Sequence, residues 1–157
     1  MGNTINIKTA ELAASHNDDI IKTGSIGSCV VISLYDPDNK IGGLAHAMLP
    51  SQKHKDHDHG DVEAEAKYAD KAVDNLISEI RKKGGKKDNL IAKLIGGASM
   101  FKHLSSGHSI GKANIESAHN RLQELGIKVE SEDTGGTTGK LVEMDLRNGM
   151  VKVNTVL

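Results

Sequence analysis

At 157 residues the chain has the length of one domain, enough to bury a core without disulfide or metal staples. No apolar run approaches the roughly 18 residues that span a bilayer, and residues 1–10 lack the apolar stretch of a signal peptide. Twenty basic residues against 21 acidic ones, with two Tyr, one Phe and no Trp, provide neither the field nor the stacking platform that nucleic acid needs.

Alternation around Ile5 and Ile7, and again near Ile20 and Ile21, predicts short strands. The β-branched run from Cys29 to Tyr35, the turn-prone Asp36-Pro37-Asp38-Asn39 and the apolar run Ile41–Leu49 read as a β-hairpin. From Val62 to about Lys83 the period becomes helical. Ala69, Ala72, Val73, Leu76, Ile77 and Ile80 share one face, and Gly84-Gly85 supplies the stop. A short strand Leu90–Ile95 ends in Gly96-Gly97. A second helix is predicted from Gly111 to Leu125, with Ile115, Ala118, Leu122 and Leu125 inward and Gly126 just past its end. Ile127–Asp133, Lys140–Leu146 and Val151–Val156 read as strands, the last two joined by a turn at Asn148-Gly149. Most strands follow one another without a helix between them. The expected class is therefore α+β, a layered sandwich of mixed β-sheet with flanking helices, in a single domain over residues 1–157.

The lone cysteine, Cys29, cannot form an internal disulfide, which fits a reducing cytoplasm and leaves a thiol to be explained. Closed symmetrically on Asp36 and Asn39, the hairpin would set Cys29 opposite His46, with β-carbons about 4.5–5.5 Å apart. The face with Val30, Ile32, Leu34, Ile41 and Ala45 suits a core. The face with Cys29 and His46 is mixed, carrying Val31, Ser33, Tyr35, Lys40, Gly42 and Leu44 as well, and reads as the more open one. An imidazole beside a thiol can take its proton and leave a nucleophilic thiolate. Gly24, Gly27 and Ser28 give a bend whose N–H groups could face a developing oxyanion. Spacing equally admits a small buried cysteine and a satisfied strand histidine.

Other segments carry weaker signals. Gly96-Gly-Ala-Ser99-Met100-Phe101 lacks the Gly-Lys-Ser/Thr ending of a phosphate loop and reads as a strand-end loop lining a groove. Asp133-Thr134-Gly135-Gly136 is either a plain turn or a second wall of that groove. His57 and His59 with Asp56 and Asp58, in the stretch His54–His59, have metal-ligand chemistry, but alternating His and Asp on a polar loop is the pattern of a solvated segment. No metal or cofactor is expected. Arg81-Lys82-Lys83 suits a helix C-terminus, and with Lys86-Lys87 it could also meet an acidic partner.

Several of these segments carry a resemblance. Thr23-Gly-Ser-Ile-Gly-Ser-Cys-Val30, Leu34-Tyr-Asp-Pro37, Ile41-Gly-Gly-Leu-Ala-His-Ala-Met-Leu-Pro50, Lys67-Tyr-Ala-Asp70, Ile95-Gly-Gly-Ala-Ser-Met-Phe101, Ile110-Gly-Lys-Ala-Asn114 and Glu132-Asp-Thr-Gly-Gly136 follow in this order along nearly the whole chain. Together they resemble the chemoreceptor glutamine deamidase family, CheD. The resemblance implies Cys29 as nucleophile, His46 as base and Thr23 as the group that orients the imidazole. It implies hydrolysis of receptor glutamines to glutamate through a thioester, with release of ammonia, on the cytoplasmic helices of chemoreceptors and without membrane insertion. Ser28, Gly27, Ser99, Met100, Phe101, Thr134 and Gly135 would line the substrate groove. The family also implies docking on a CheC-type phosphatase, so a binding module with little deamidase activity is the competing expectation. A cysteine protease or transglutaminase-like enzyme would share the Cys–His chemistry. A pure adaptor would be free to lose Thr23, Cys29 and His46, and all three are present.

Overall fold

The computed structural model describes residues 2–51, 64–99 and 109–156, which form two β-sheets and two α-helices. Strands β1 (Thr4–Ile7), β3 (Ile20–Thr23), β8 (Gly139–Asp145) and β9 (Val151–Val156) make a four-stranded sheet in the order β1-β3-β8-β9. Strands β2 (Leu12–His16), β5 (Ile41–Ala47), β4 (Val30–Asp36), β6 (Ile91–Gly96) and β7 (Lys128–Thr134) make a five-stranded sheet in the order β2-β5-β4-β6-β7. Each sheet is mixed, with one parallel pair: β1 with β3, and β6 with β7. Helices α1 (Ala69–Lys82) and α2 (Ile110–Glu124) cover one face of the five-stranded sheet, and the four-stranded sheet covers the other. This is the layered α+β sandwich expected from the order of elements.

The period of the strands decides which residue enters which layer. In β4, Val30, Ile32 and Leu34 point to the helices and pack with Ala72, Val73, Leu76, Ile80 and Leu122. Val31 and Tyr35 alternate to the other side and pack with Ile21, Ile95, Val142 and Met144 between the sheets. All six apolar positions predicted for α1 are buried. The helix starts at Ala69, later than Val62. Residues 62 and 63 lie outside the described residues, and the backbone of the next few is used elsewhere. The Lys67 carbonyl accepts from the N–H groups of Met48 and Leu49, and Ala66 donates to Ala10. Both helices end in the paired bonds of a Schellman motif, Gly85 to Ile80 and Gly84 to Arg81 in α1, Ile127 to Leu122 and Gly126 to Gln123 in α2.

Three expectations need correction. Strand β2 is absent from the periodicity, because Leu12-Ala-Ala-Ser-His16 has no β-branched residue and no alternation. The inward stripe of α2 is Gly111, Asn114, Ala118 and Leu122, while Ile115 and Leu125 are only half-buried. The hairpin closes two residues away from the expected register, pairing Asp36 with Ile41 and Val31 with His46. A two-residue loop needs a positive φ at its first position, which Pro37 cannot adopt. The turn is instead Pro37-Asp-Asn-Lys40, with Lys40 at φ 53°. The buried Asp36 carboxylate holds it, accepting from the N–H groups of Asp38, Asn39 and Lys86 and from the Asn39 side chain.

Candidate active site

A shift of two residues leaves every side chain on its own face. Cys29, one residue ahead of β4, therefore shares the inter-sheet side with Val31 and packs against that core. His46 lies opposite Val31 rather than opposite Cys29, which makes the two diagonal neighbours. The face is not the more open one: Val31 and Leu44 are fully buried and Ser33 is 1% exposed, because the four-stranded sheet covers them.

The chain crosses from one sheet to the other between Thr23 and Val30, and this crossing forms the site. Thr23 is the last residue of β3. Ile26 exchanges two backbone hydrogen bonds with Lys140 at the start of β8, at 2.8 and 2.9 Å. Gly27, Ser28 and Cys29 then form a half-buried bend at the end of the five-stranded sheet where β5, β6 and β7 finish. The loop after β6 is tied to this bend, with Gly97 N–H donating to Cys29 O at 2.7 Å and Ala98 N–H to Gly27 O at 3.0 Å. It is tied equally to the loop after β7, through Gly135 N–H to Gly96 O and Ser99 N–H to Gly136 O, both 2.9 Å. These bonds join the bend of Gly27, Ser28 and Cys29 to the loop that carries Ser99, and that loop to the one that carries Gly135 after Thr134. Met100 and Phe101 lie outside the described residues, as does the His54–His59 stretch.

Each of the three expected catalytic side chains has a distinct environment. The half-buried Cys29 thiol is pushed above its ordinary value by burial, with its own N–H partly offsetting the rise. His46 is 2% exposed, and burial pushes its pKa down, so the resting pair is a neutral thiol and a neutral imidazole. No protein group among the described residues hydrogen-bonds either ring nitrogen of His46. The imidazole therefore makes no hydrogen bond to Cys29 Sγ or Thr23 Oγ1, and it is not a satisfied strand histidine either. Its backbone is held firmly by the chain leading into β2, donating to Glu11 O at 2.9 Å and accepting from Ala10 N–H at 2.8 Å. The Thr23 hydroxyl donates to Gly24 O at 2.9 Å and accepts from Val142 N–H at 3.3 Å, where the β3–β8 ladder ends. One acceptor lone pair remains on that oxygen.

Two further features bear on the site. Asn114, on the inward stripe of α2, donates from Nδ2 to Ser28 O at 2.9 Å and to Met48 O at 3.2 Å. A polar residue in an otherwise apolar helical stripe is the sequence signal that could have pointed to it. Nearby, the buried Lys140 ammonium bonds the Asp133 carboxylate and carbonyl, joining the start of β8 to the end of β7. A separate polar cleft of about 590 Å³ runs between the helices, lined by Asp70, Asp74, Glu116 and Arg121 among others. Among the described residues, no histidine or cysteine lines it.

No helix among the described residues is long and apolar enough to cross a membrane. A family model described as CheD chemotactic sensory transduction matches residues 48–155. The probable chemoreceptor glutamine deamidase CheD of Methanococcus vannielii is 40% identical over 149 residues, covering 95% of this chain and 93% of its own length. The chemoreceptor glutamine deamidase CheD of Thermotoga maritima is 40% identical over 150 residues, covering 96% and 90%. The probable chemoreceptor glutamine deamidase CheD of Pyrococcus abyssi is 39% identical over 158 aligned residues, covering 100% of this chain and 94% of its own. That last alignment spans the segment from Thr23 to His46, which lies ahead of the family-model match. With a family model over more than half of the chain and relatives similar along its length, the chain belongs to the CheD family.

Proposed function

We propose that this protein is a protein-glutamine deamidase that converts glutamines of chemoreceptors to glutamate through a thioester on Cys29. The observation that carries the reading is the placement of the only thiol, half-buried, on the same inter-sheet face as a buried histidine whose ring nitrogens no described protein group occupies. The names of the relatives supply the substrate class.

The chemistry follows from the two pKa directions. Neither group is charged at rest, so the thiol proton passes to His46 as sulfur attacks the carboxamide carbon. The C–N bond then breaks while the imidazolium returns that proton to the leaving nitrogen, and ammonia departs. Water, deprotonated by His46, adds to the thioester. Collapse of that adduct releases glutamate and restores the thiol. The Cys29 N–H, which lies beside its own sulfur, serves as a donor for the developing oxyanion in this reading. Thr23 uses its free lone pair to accept from the imidazole as the site closes, the orienting role of a triad's third member. Catalytic hydrogen bonds commonly tighten only when substrate is bound.

Gly27, Ser28, Ser99, Thr134 and Gly135 form the groove that receives the receptor helix in this reading. A CheC-type phosphatase docks on the same surface, and the protein works in the cytoplasm as a single domain. The test is incubation with a cytoplasmic receptor fragment, following ammonia release and glutamine-to-glutamate conversion by peptide mass spectrometry. Conversion in stoichiometric step with ammonia is expected. Binding of the phosphatase without conversion of any cognate receptor would replace the enzyme by an adaptor.

A further inference from the structure

We infer that Asn114 is a positioning residue of the active site, whose carboxamide sets the separation between the nucleophile's bend and the histidine's strand. The inference rests on Cys29 and His46 being the reacting pair. Asn114 is fully buried, and its Nδ2 spends one N–H on Ser28 O and the other on Met48 O. Ser28 immediately precedes Cys29, and Met48 follows His46 by two residues. One rigid amide thus joins the two chain segments that carry the thiol and the imidazole. Both partners are carbonyls, so only the NH2 side can face them, and the orientation of the amide is set by chemistry.

The surroundings make this contact stiff. Gly111, one turn earlier on the same stripe, lies so close to the Gly97 and Ala98 carbonyls that a β-carbon there would sit 2.5 Å from each oxygen. Those two residues are the ones whose N–H groups hold Cys29 O and Gly27 O. Three residues further on, the Ser117 hydroxyl bonds Pro50 O, so α2 grips the segment leaving β5 at two points. The helix therefore reaches the bend both directly through Asn114 and indirectly through the loop after β6. The contact is made at a cost, since Asn114 Oδ1 is buried with no hydrogen-bond partner among the described residues.

Because Cys29 is the only cysteine, its alkylation by iodoacetamide reads the site without any receptor. The rate is measured from pH 6 to 10 in the wild type, His46→Ala, Asn114→Ala, Asn114→Ser and the double variant Asn114→Ala/His46→Ala, at a temperature where circular dichroism shows each folded. Asn114→Ser keeps one donor and serves if the alanine variant does not fold. We expect His46→Ala and Asn114→Ala each to slow alkylation near neutrality by about tenfold, since small misplacements cost one to two orders of magnitude. We expect Asn114→Ala to add nothing once His46 is gone, with its pH profile matching that of His46→Ala. Multiplicative effects, or an unchanged profile in a folded Asn114 variant, would overturn the positioning role. A wild-type profile that ignores His46→Ala would instead overturn the Cys29–His46 pairing itself.

Discussion

Burial pushes the titrations of Cys29 and His46 apart, and the working pH range widens as a result. For kcat/KM against pH, the acid limb should fall below 6.5, the ordinary value of histidine, and the alkaline limb above 9.0, that of the thiol. A limb inside that interval would show an ion pair at rest. His46 also links stability to pH. Its folded pKa lies below its unfolded one, so the unfolded chain binds the extra proton as pH falls from 6.5. Stability should drop through that window and level off below the folded value, by at most about 1.4 kcal/mol per pH unit for one proton. Urea unfolding at pH 7.5 and 5 should show a smaller drop in His46→Gln than in the wild type. At this scale the placement of Cys29 and His46 on a common face was legible in the sequence, since it needed only the period of two. The burial of that face was not, because the covering strands come from distant parts of the chain, Ile21 from β3 and Val142 and Met144 from β8.

Among the elements, the hairpin and the loop after β6 carry the most geometry per residue. Asp36 anchors the turn through hydrogen bonds from Asp38, Asn39, Asn89 and Lys86, the last fifty positions away. Burial opposes its charge, but the bonds from Asn39, Lys86 and Asn89 outweigh that and hold its carboxyl below the usual range. Asp36→Ala should cost about 1.5–3 kcal/mol, the range for hydrogen bonds to a charged group, seen as a lower urea midpoint. Gly96 sits at φ 105°, and a β-carbon there would lie 2.4 Å from Cys29 O. Gly96→Ala should lose about 1–3 kcal/mol from backbone strain alone and also change the rate of Cys29 alkylation. Gly126, at φ 71° with open space around it, is the matched control. Its alanine variant should lose about 1 kcal/mol and leave the thiol untouched. The face of α1 was readable because Ala69 to Ile80 keeps a strict period, whereas α2, whose end Gly126 marks, buries Gly111 and Asn114 in place of the expected Ile115 and Leu125. The hairpin register was readable in principle, since Pro37 forbids the tighter turn.

The whole molecule is a stack of helices, five strands and four strands, and the site lies where one chain crossing joins the two sheets. That crossing explains why residues from four separated segments meet at Cys29: the bend itself, the ends of β5 and β6, and the loop after β7. The class of fold could be read from the order of strands and helices. The partition into two sheets could not, because β1 and β3 pair in parallel across a strand, β2, that belongs to the other sheet. Asn114 escaped for a similar reason, its partners Ser28 and Met48 being 86 and 66 positions away. The most direct measurement is deamidation of a cytoplasmic receptor fragment by Cys29→Ala, followed by peptide mass spectrometry beside the wild type. The wild type should convert glutamine to glutamate and the folded variant should convert none. Conversion that survives Cys29→Ala would contradict a thioester mechanism on the only cysteine of the chain.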